Sequence, residues 1–186
     1  MESSTSPEYE YFTLKIEAKP NLFSGSSVRK AISPYLWGKK IRPQVLKDCN
    51  YTCQICGFQP GKDEYRNVHV HEIEEFDFEN VVIILKGLDL ICQKCHQFHH
   101  IVRMYKVNTK EQIDDLILHF QQVNECDYID YRGYKLEREV HSMIKHKDKQ
   151  QKLEEGQIMR YKIAGDIPFK DEVIAKLREN YLYFED

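Results

Sequence analysis

The chain has no apolar run approaching the ~20 residues that a membrane-crossing helix requires, so no membrane span is expected. Met1–Pro7 (MESSTSP) has neither a basic lead nor an apolar stretch. No signal peptide is therefore expected there, and a cytoplasmic setting is the expectation. There is no excess of positive charge either. With 27 Lys and Arg against 30 Asp and Glu, the net charge is −3. Any affinity for nucleic acid must therefore come from a local patch. Internal repeats are absent. What is present is an ordinary globular share of apolar residues, 41% of 186, enough for a real core. There are six cysteines: Cys49, Cys53, Cys56, Cys92, Cys95 and Cys126. In a reducing compartment clustered cysteines bind metal more often than they pair.

Local patterns give a coarse map. Tyr9–Ile16 alternates large apolar with polar residues, as a short strand does. Pro34, Gly38 and Pro43 break Val28–Asp48 into two short helices. Asn67–Ile73 and Val81–Leu85 read as strands, with Leu88–Ile91 continuing the second past Gly87. A helix is expected from Cys92 through His100 to about Tyr105. Thr109 and Gln112 are spaced as a capping box before a helix whose apolar residues run from Ile113 to Val123. A long helix over Asp127–Gln150 and a short one over Asp171–Asn180 follow. The basic clusters are Arg29–Lys47 and Lys145–Lys152, the latter a solvated helix face.

Cys53-x2-Cys56 and Cys92-x2-Cys95 are two knuckles, each offering two thiolates to one tetrahedral ion. Four thiolates suit a structural zinc. Cys49 and Cys126 are left as small apolar residues. Between the knuckles lie 35 residues, against ~15–20 in simple zinc ribbons. That leaves room for a β-hairpin with its own chemistry, and the spacer carries His69, His71, Glu72 and Asn80. Past the second knuckle, His96, His99 and His100 are free of the zinc. On a helix His96 and His100 share a face and can chelate one ion, while His99 is also in reach, so the spacing leaves the pairing open. The acidic run Glu72, Glu74, Glu75, Asp77 and Glu79 reads as a solvated loop, or as extra oxygen ligands.

Taken in order, these pieces resemble the HNH endonuclease family, in its four-cysteine zinc variant. Ile41–Gly57 (IRPQVLKDCNYTCQICG) is similar to the lead-in helix and first knuckle, and Val70–Ile73 (VHEI) to the histidine strand. Asn80 in FENVV stands where the middle asparagine is expected, and Leu90–His100 resembles the closing segment. The likeness covers residues 37–105 and is greatest to the phage- and prophage-type branch, which implies a bacterial or phage-infected cell. It implies an α+β protein: residues 1–36 as a tail with a short strand or helix, 37–105 as a ββα-metal core, 106–186 as a helical extension. His71, His96 and His100 would then hold a catalytic divalent cation (Mg, Mn, Ni or Zn). Glu72 falls at the general-base position and Asn80 at the loop-orienting one. A carboxylate is a weaker base near neutrality unless burial raises its pKa. Two assignments stand: Glu72 as base or ligand, or His71 as base with a carboxylate completing the shell; His69, on the same strand face as His71, is a substitute. DNA is the implied substrate, with Lys39, Lys40, Arg42 and Lys47 placed to meet phosphates. The C-terminal helices exceed what a minimal nuclease needs and would suit a homodimer or a protein partner. The rival reading is an inactive zinc-stabilised factor that binds DNA or protein.

Overall fold

A computed structural model describes residues 7–147 and 157–185. The chain is α+β, with one three-stranded sheet in the order β1-β2-β3. Strands β1 (Val68–Asp77) and β2 (Val82–Cys92) form an antiparallel hairpin, and β3 (Arg160–Ile163) pairs with β2 in parallel. Both faces of the central strand are covered over much of its length, which is why VVIIL reads as a continuous apolar run. The hairpin is longer than the sequence suggests. Its register shifts between Ile73 and Glu74, leaving Lys86 as the extra residue opposite. The extra residue lies on β2, so the alternation of β1 runs on through the acidic Glu74–Asp77, with Phe76 packed on Phe23 at 4.9 Å. β3 is too short to stand out by alternation. Gly165 follows it, and a Cβ there would sit 1.8 Å from the Lys86 carbonyl oxygen, so only glycine lets the chain cross the bulge.

The helices are α1 (Val28–Ala31), α2 (Arg42–Asp48), α3 (Gln93–Phe98), α4 (Ile101–Val107), α5 (Lys110–Asn124), α6 (Tyr128–Lys147) and α7 (Lys170–Glu179). Ser27 caps α1 by accepting the Lys30 N–H, and Pro43 sits in the first turn of α2, where no donor is missed. Gly38 does not break the chain; it lies inside a π-helical turn, Leu36–Ile41, that runs into α2. Both bonds of the Thr109–Gln112 capping box are made. The expected continuation of α6 to Gln150, with most of Lys145–Lys152, lies outside the described residues.

Tyr9–Ile16 is not a strand. A short 3-10 turn, Pro7–Tyr9, leads into irregular chain, turning at Glu10–Tyr11 and bending at Thr13–Leu14, that joins no sheet. The alternation is real, since Phe12, Leu14 and Ile16 are buried, but the backbone finds a side chain in place of a neighbouring strand. The Leu14 N–H donates to Asn124 Oδ1 at 2.9 Å, and Asn124 Nδ2 donates to the Leu14 carbonyl at 3.0 Å. Phe12 packs edge-on against Phe120 and Tyr134. One hydrophobic cluster runs from Tyr9 to Leu177 and draws on all three segments, 1–36, 37–105 and 106–186. Because Asn124 is buried and bonds both polar groups of Leu14, Asn124→Leu leaves a donor and an acceptor unpaired. Urea denaturation should show a loss of about 2–4 kcal/mol, and a loss under ~0.5 would mean the bridge carries no stability.

Candidate metal centres

The first centre is built where the hairpin ends. After α2 the chain turns sharply through Asn50 (φ 48°) and Tyr51 (φ 55°), left-handed values uncommon outside glycine. Stacking of Tyr51 on Tyr65, centroids 4.5 Å apart, helps hold this turn. The knuckle Cys53–Cys56 follows, closed by Gly57 at φ 72°. Its Gln54 N–H donates to the Leu90 carbonyl, which docks the knuckle on β2 beside Cys92. Cys92 caps α3, its sulfur accepting the Cys95 N–H. The four sulfurs of Cys53, Cys56, Cys92 and Cys95 lie within 4.8 Å of one another, three of the residues being buried. Two thiolates at ~2.3 Å from one tetrahedral ion stand ~3.8 Å apart. The Cys56–Cys92 separation is 3.6 Å. Hydrogen bonding with Cys53 pulls the Cys56 thiol well below its usual range and pushes that of Cys95 above it. Such a group can hold a structural metal such as zinc. His119, from α5, places Nε2 3.3 Å from the Cys95 sulfur, where an N–H would temper its charge.

The second centre begins one residue later. His69 and His71 share one face of β1, His96 lies on α3, and His99 and His100 form a break between α3 and α4. The single helix expected from Cys92 to Tyr105 is thus two. His100, at φ −130°, leaves the helical path, yet its N–H still donates to the Gln97 carbonyl. The near-helical spacing survives, and His96 Nε2 meets His100 Nε2 at 3.2 Å. Nitrogens at ~2.0–2.1 Å from one tetrahedral ion would stand ~3.3 Å apart. Donor nitrogens of His71, His96 and His100 lie within 4.8 Å of one another. His69 stacks on His96, centroids 5.0 Å apart. Burial lowers the His71 and His96 pKa to about 3, and lowers those of His69 and His100 as well. These imidazoles are neutral at pH 7, the state in which they bind cations.

Two residues assigned to this site from the sequence stand elsewhere. Glu72 follows His71 on a regular strand, so it points to the opposite face. Its carboxylate accepts the Arg29 N–H at 3.0 Å at the start of α1, and burial raises its pKa. Asn80 sits at the hairpin tip, where its side chain donates to Asp77 at 2.8 Å. Asp77 is six residue steps along the strand from His71, roughly 20 Å at 3.3–3.4 Å each, so Asn80 orients nothing at the histidines. The basic residues also divide. Arg42 donates to the carbonyls of Tyr65 and Val68, and Lys40 pairs with Glu172 at 2.6 Å. Lys39 and Lys47 are exposed. The cationic groups whose charge reaches the histidines are Lys19, Arg29, Arg42 and Arg103.

The sequence reading missed two acidic residues here. Glu17 bonds His99 Nδ1 at 2.9 Å, and Asp89 lies directly across the hairpin from His71. Asp89 was findable by pairing the strands; nothing local marks Glu17. Comparison with protein-family models, with curated proteins and with solved structures finds no match to this chain. Among the described residues no helix is long and apolar enough to cross a membrane.

Two outcomes are expected. The chain should carry one tightly held zinc, and Cys53→Ser or Cys92→Ser should lose metal and cooperative unfolding together; retention of both would remove the cysteine centre from the fold's support. His96 is neutral when folded but takes a proton when unfolded below pH about 6.5, so it withdraws stability as pH falls from there toward about 3. Melts at pH 7 and pH 5 should show a larger acid loss for wild type than for His96→Gln, whereas equal losses would show that burial does not hold this ring neutral.

Proposed function

We propose that the chain is a metal-dependent DNA endonuclease of HNH type, with a divalent cation held by His71, His96 and His100. The observation that carries this reading is the convergence of those three imidazole donors within 4.8 Å, from strand and helix, beside a four-cysteine centre. The order of hairpin then helix supports a ββα-metal core. A cation bound there would supply Lewis-acid stabilisation of charge on the scissile phosphate. His71, His96 and His100 would hold the cation and would leave room on it for phosphate and water. His69, on the same strand face but in neither donor set, takes the proton from the attacking water as the new P–O bond forms. The old P–O bond breaks, and its oxygen is protonated from solvent. Arg29 and Arg103, both exposed, present positive charge to the DNA backbone beside the cluster, and the exposed Lys39 and Lys47 are further candidates for phosphate contact.

A second reading is favoured by the displacement of Glu72 and Asn80: an inactive zinc-stabilised module that binds DNA or protein. Tyr128, Ile129, Leu136 and Val140 expose apolar surface on α6 that would suit a protein partner or a second copy. Supercoiled-plasmid nicking with Mg, Mn, Ni or Zn separates the two readings. The nuclease should nick, chelator should stop it, and His71→Ala or His100→Ala should lower the rate by roughly 100-fold or more. Asn80→Ala should leave the rate unchanged. A wild type as inert as its histidine variants with every metal would leave the binding module.

A further inference from the structure

We propose that Glu17, His71 and His99 form a second cation position, next to the one bounded by His71, His96 and His100. The donor atoms of these three residues lie within 4.8 Å of one another. His99 carries the case. Its side chain is only 10% exposed, and Nδ1 bonds the Glu17 carboxylate at 2.9 Å. Its Nε2 is buried and has no hydrogen-bond partner among the described residues. A buried polar nitrogen left so is costly, and most such groups in folded proteins are satisfied. The ring stands with its centroid 4.3 Å from that of His71. At 2.9 Å the Glu17 oxygen and His99 Nδ1 stand about as close as two donors to one ion, so a cation entering there would take the place of the proton they share.

His99 does not join the first donor set, so this is a neighbouring position that shares His71 as a ligand. Glu17 is not there by the chance of a loose tail. Its N–H donates to the Phe98 carbonyl at 3.1 Å, which pins it beside the end of α3. Two imidazoles and a carboxylate suit zinc, manganese, nickel, cobalt or ferrous iron, and leave coordination positions open. Asp89, paired across from His71, offers a further carboxylate on that face of the hairpin.

The test counts cations and does not depend on DNA cleavage. Zinc-loaded full-length chain is titrated with Co2+, read by equilibrium dialysis and by d–d absorption. The double variant His96→Ala/His100→Ala lacks the first position and should still bind one Co2+ beyond the structural zinc. Adding Glu17→Ala or His99→Ala should then weaken that ion's binding at least ~100-fold. In the wild-type background the same two substitutions should leave one Co2+ bound by His71, His96 and His100. His99→Gln replaces the alanine variant if zinc content or near-ultraviolet dichroism shows that alanine disturbs the fold. The proposal is overturned if the double variant binds no extra Co2+, or if its Co2+ survives loss of both Glu17 and His99. A chain that binds Co2+ as expected but never nicks DNA sinks the nuclease reading and leaves this one standing.

Discussion

Four thiols converge on one point, and the negative charge they carry on ionising cannot stay there without a cation. That constraint organises the rest. α3 has six residues, too few to hold a helix on its own, and it starts at the capping sulfur of Cys92. His96 sits directly after Cys95, so the orientation of its ring is inherited from the sulfur centre. The knuckle of Cys53 and Cys56 ties that helix back to the strand that pairs with His69 and His71. A metal held in the first centre would thus make geometry in the second reproducible.

β1 divides its labour by face. One side carries His69 and His71 toward the helix, kept neutral by burial. On the other side, Glu72 receives the first turn of α1, and beyond the bulge Glu74 is paired with Lys19. The acidic run between the strands therefore splits: its first two members do structural work on the N-terminal segment, while Glu75 and Glu79 face solvent. With Glu72 and Glu74 turned to the other face, Glu17 and Asp89 are acids placed beside the histidines.

What the sequence made legible was local. Each knuckle lies within four residues, the strand histidines follow a period of two, and the capping box is a three-residue offset; all were readable because backbone geometry converts short spacing into proximity. The convergence of His71, His96 and His100 was also readable, although the helix argued for it breaks at His99. What escaped notice depends on distant contacts. The tip position of Asn80 follows from a tight hairpin whose length was hidden by the bulge at Lys86. Glu17 reaches His99 only because Phe98 holds it, and β3 is recognisable only against β2. Tyr9–Ile16 has the pattern of a strand, but pattern alone does not say that an asparagine amide would stand in for the neighbouring chain.

The Asn124 bridge has a bearing on how the molecule is made. A ribosome delivers Leu14 long before Asn124, and in that interval the first stretch has no template to lie against. The early apolar side chains Phe12, Leu14 and Ile16 must wait, exposed, until α5 has emerged. Closing so large a sequence separation is slow, so the N-terminal stretch should be among the last to lock, carrying Glu17 into place after the cysteine centre has already gathered its sulfurs.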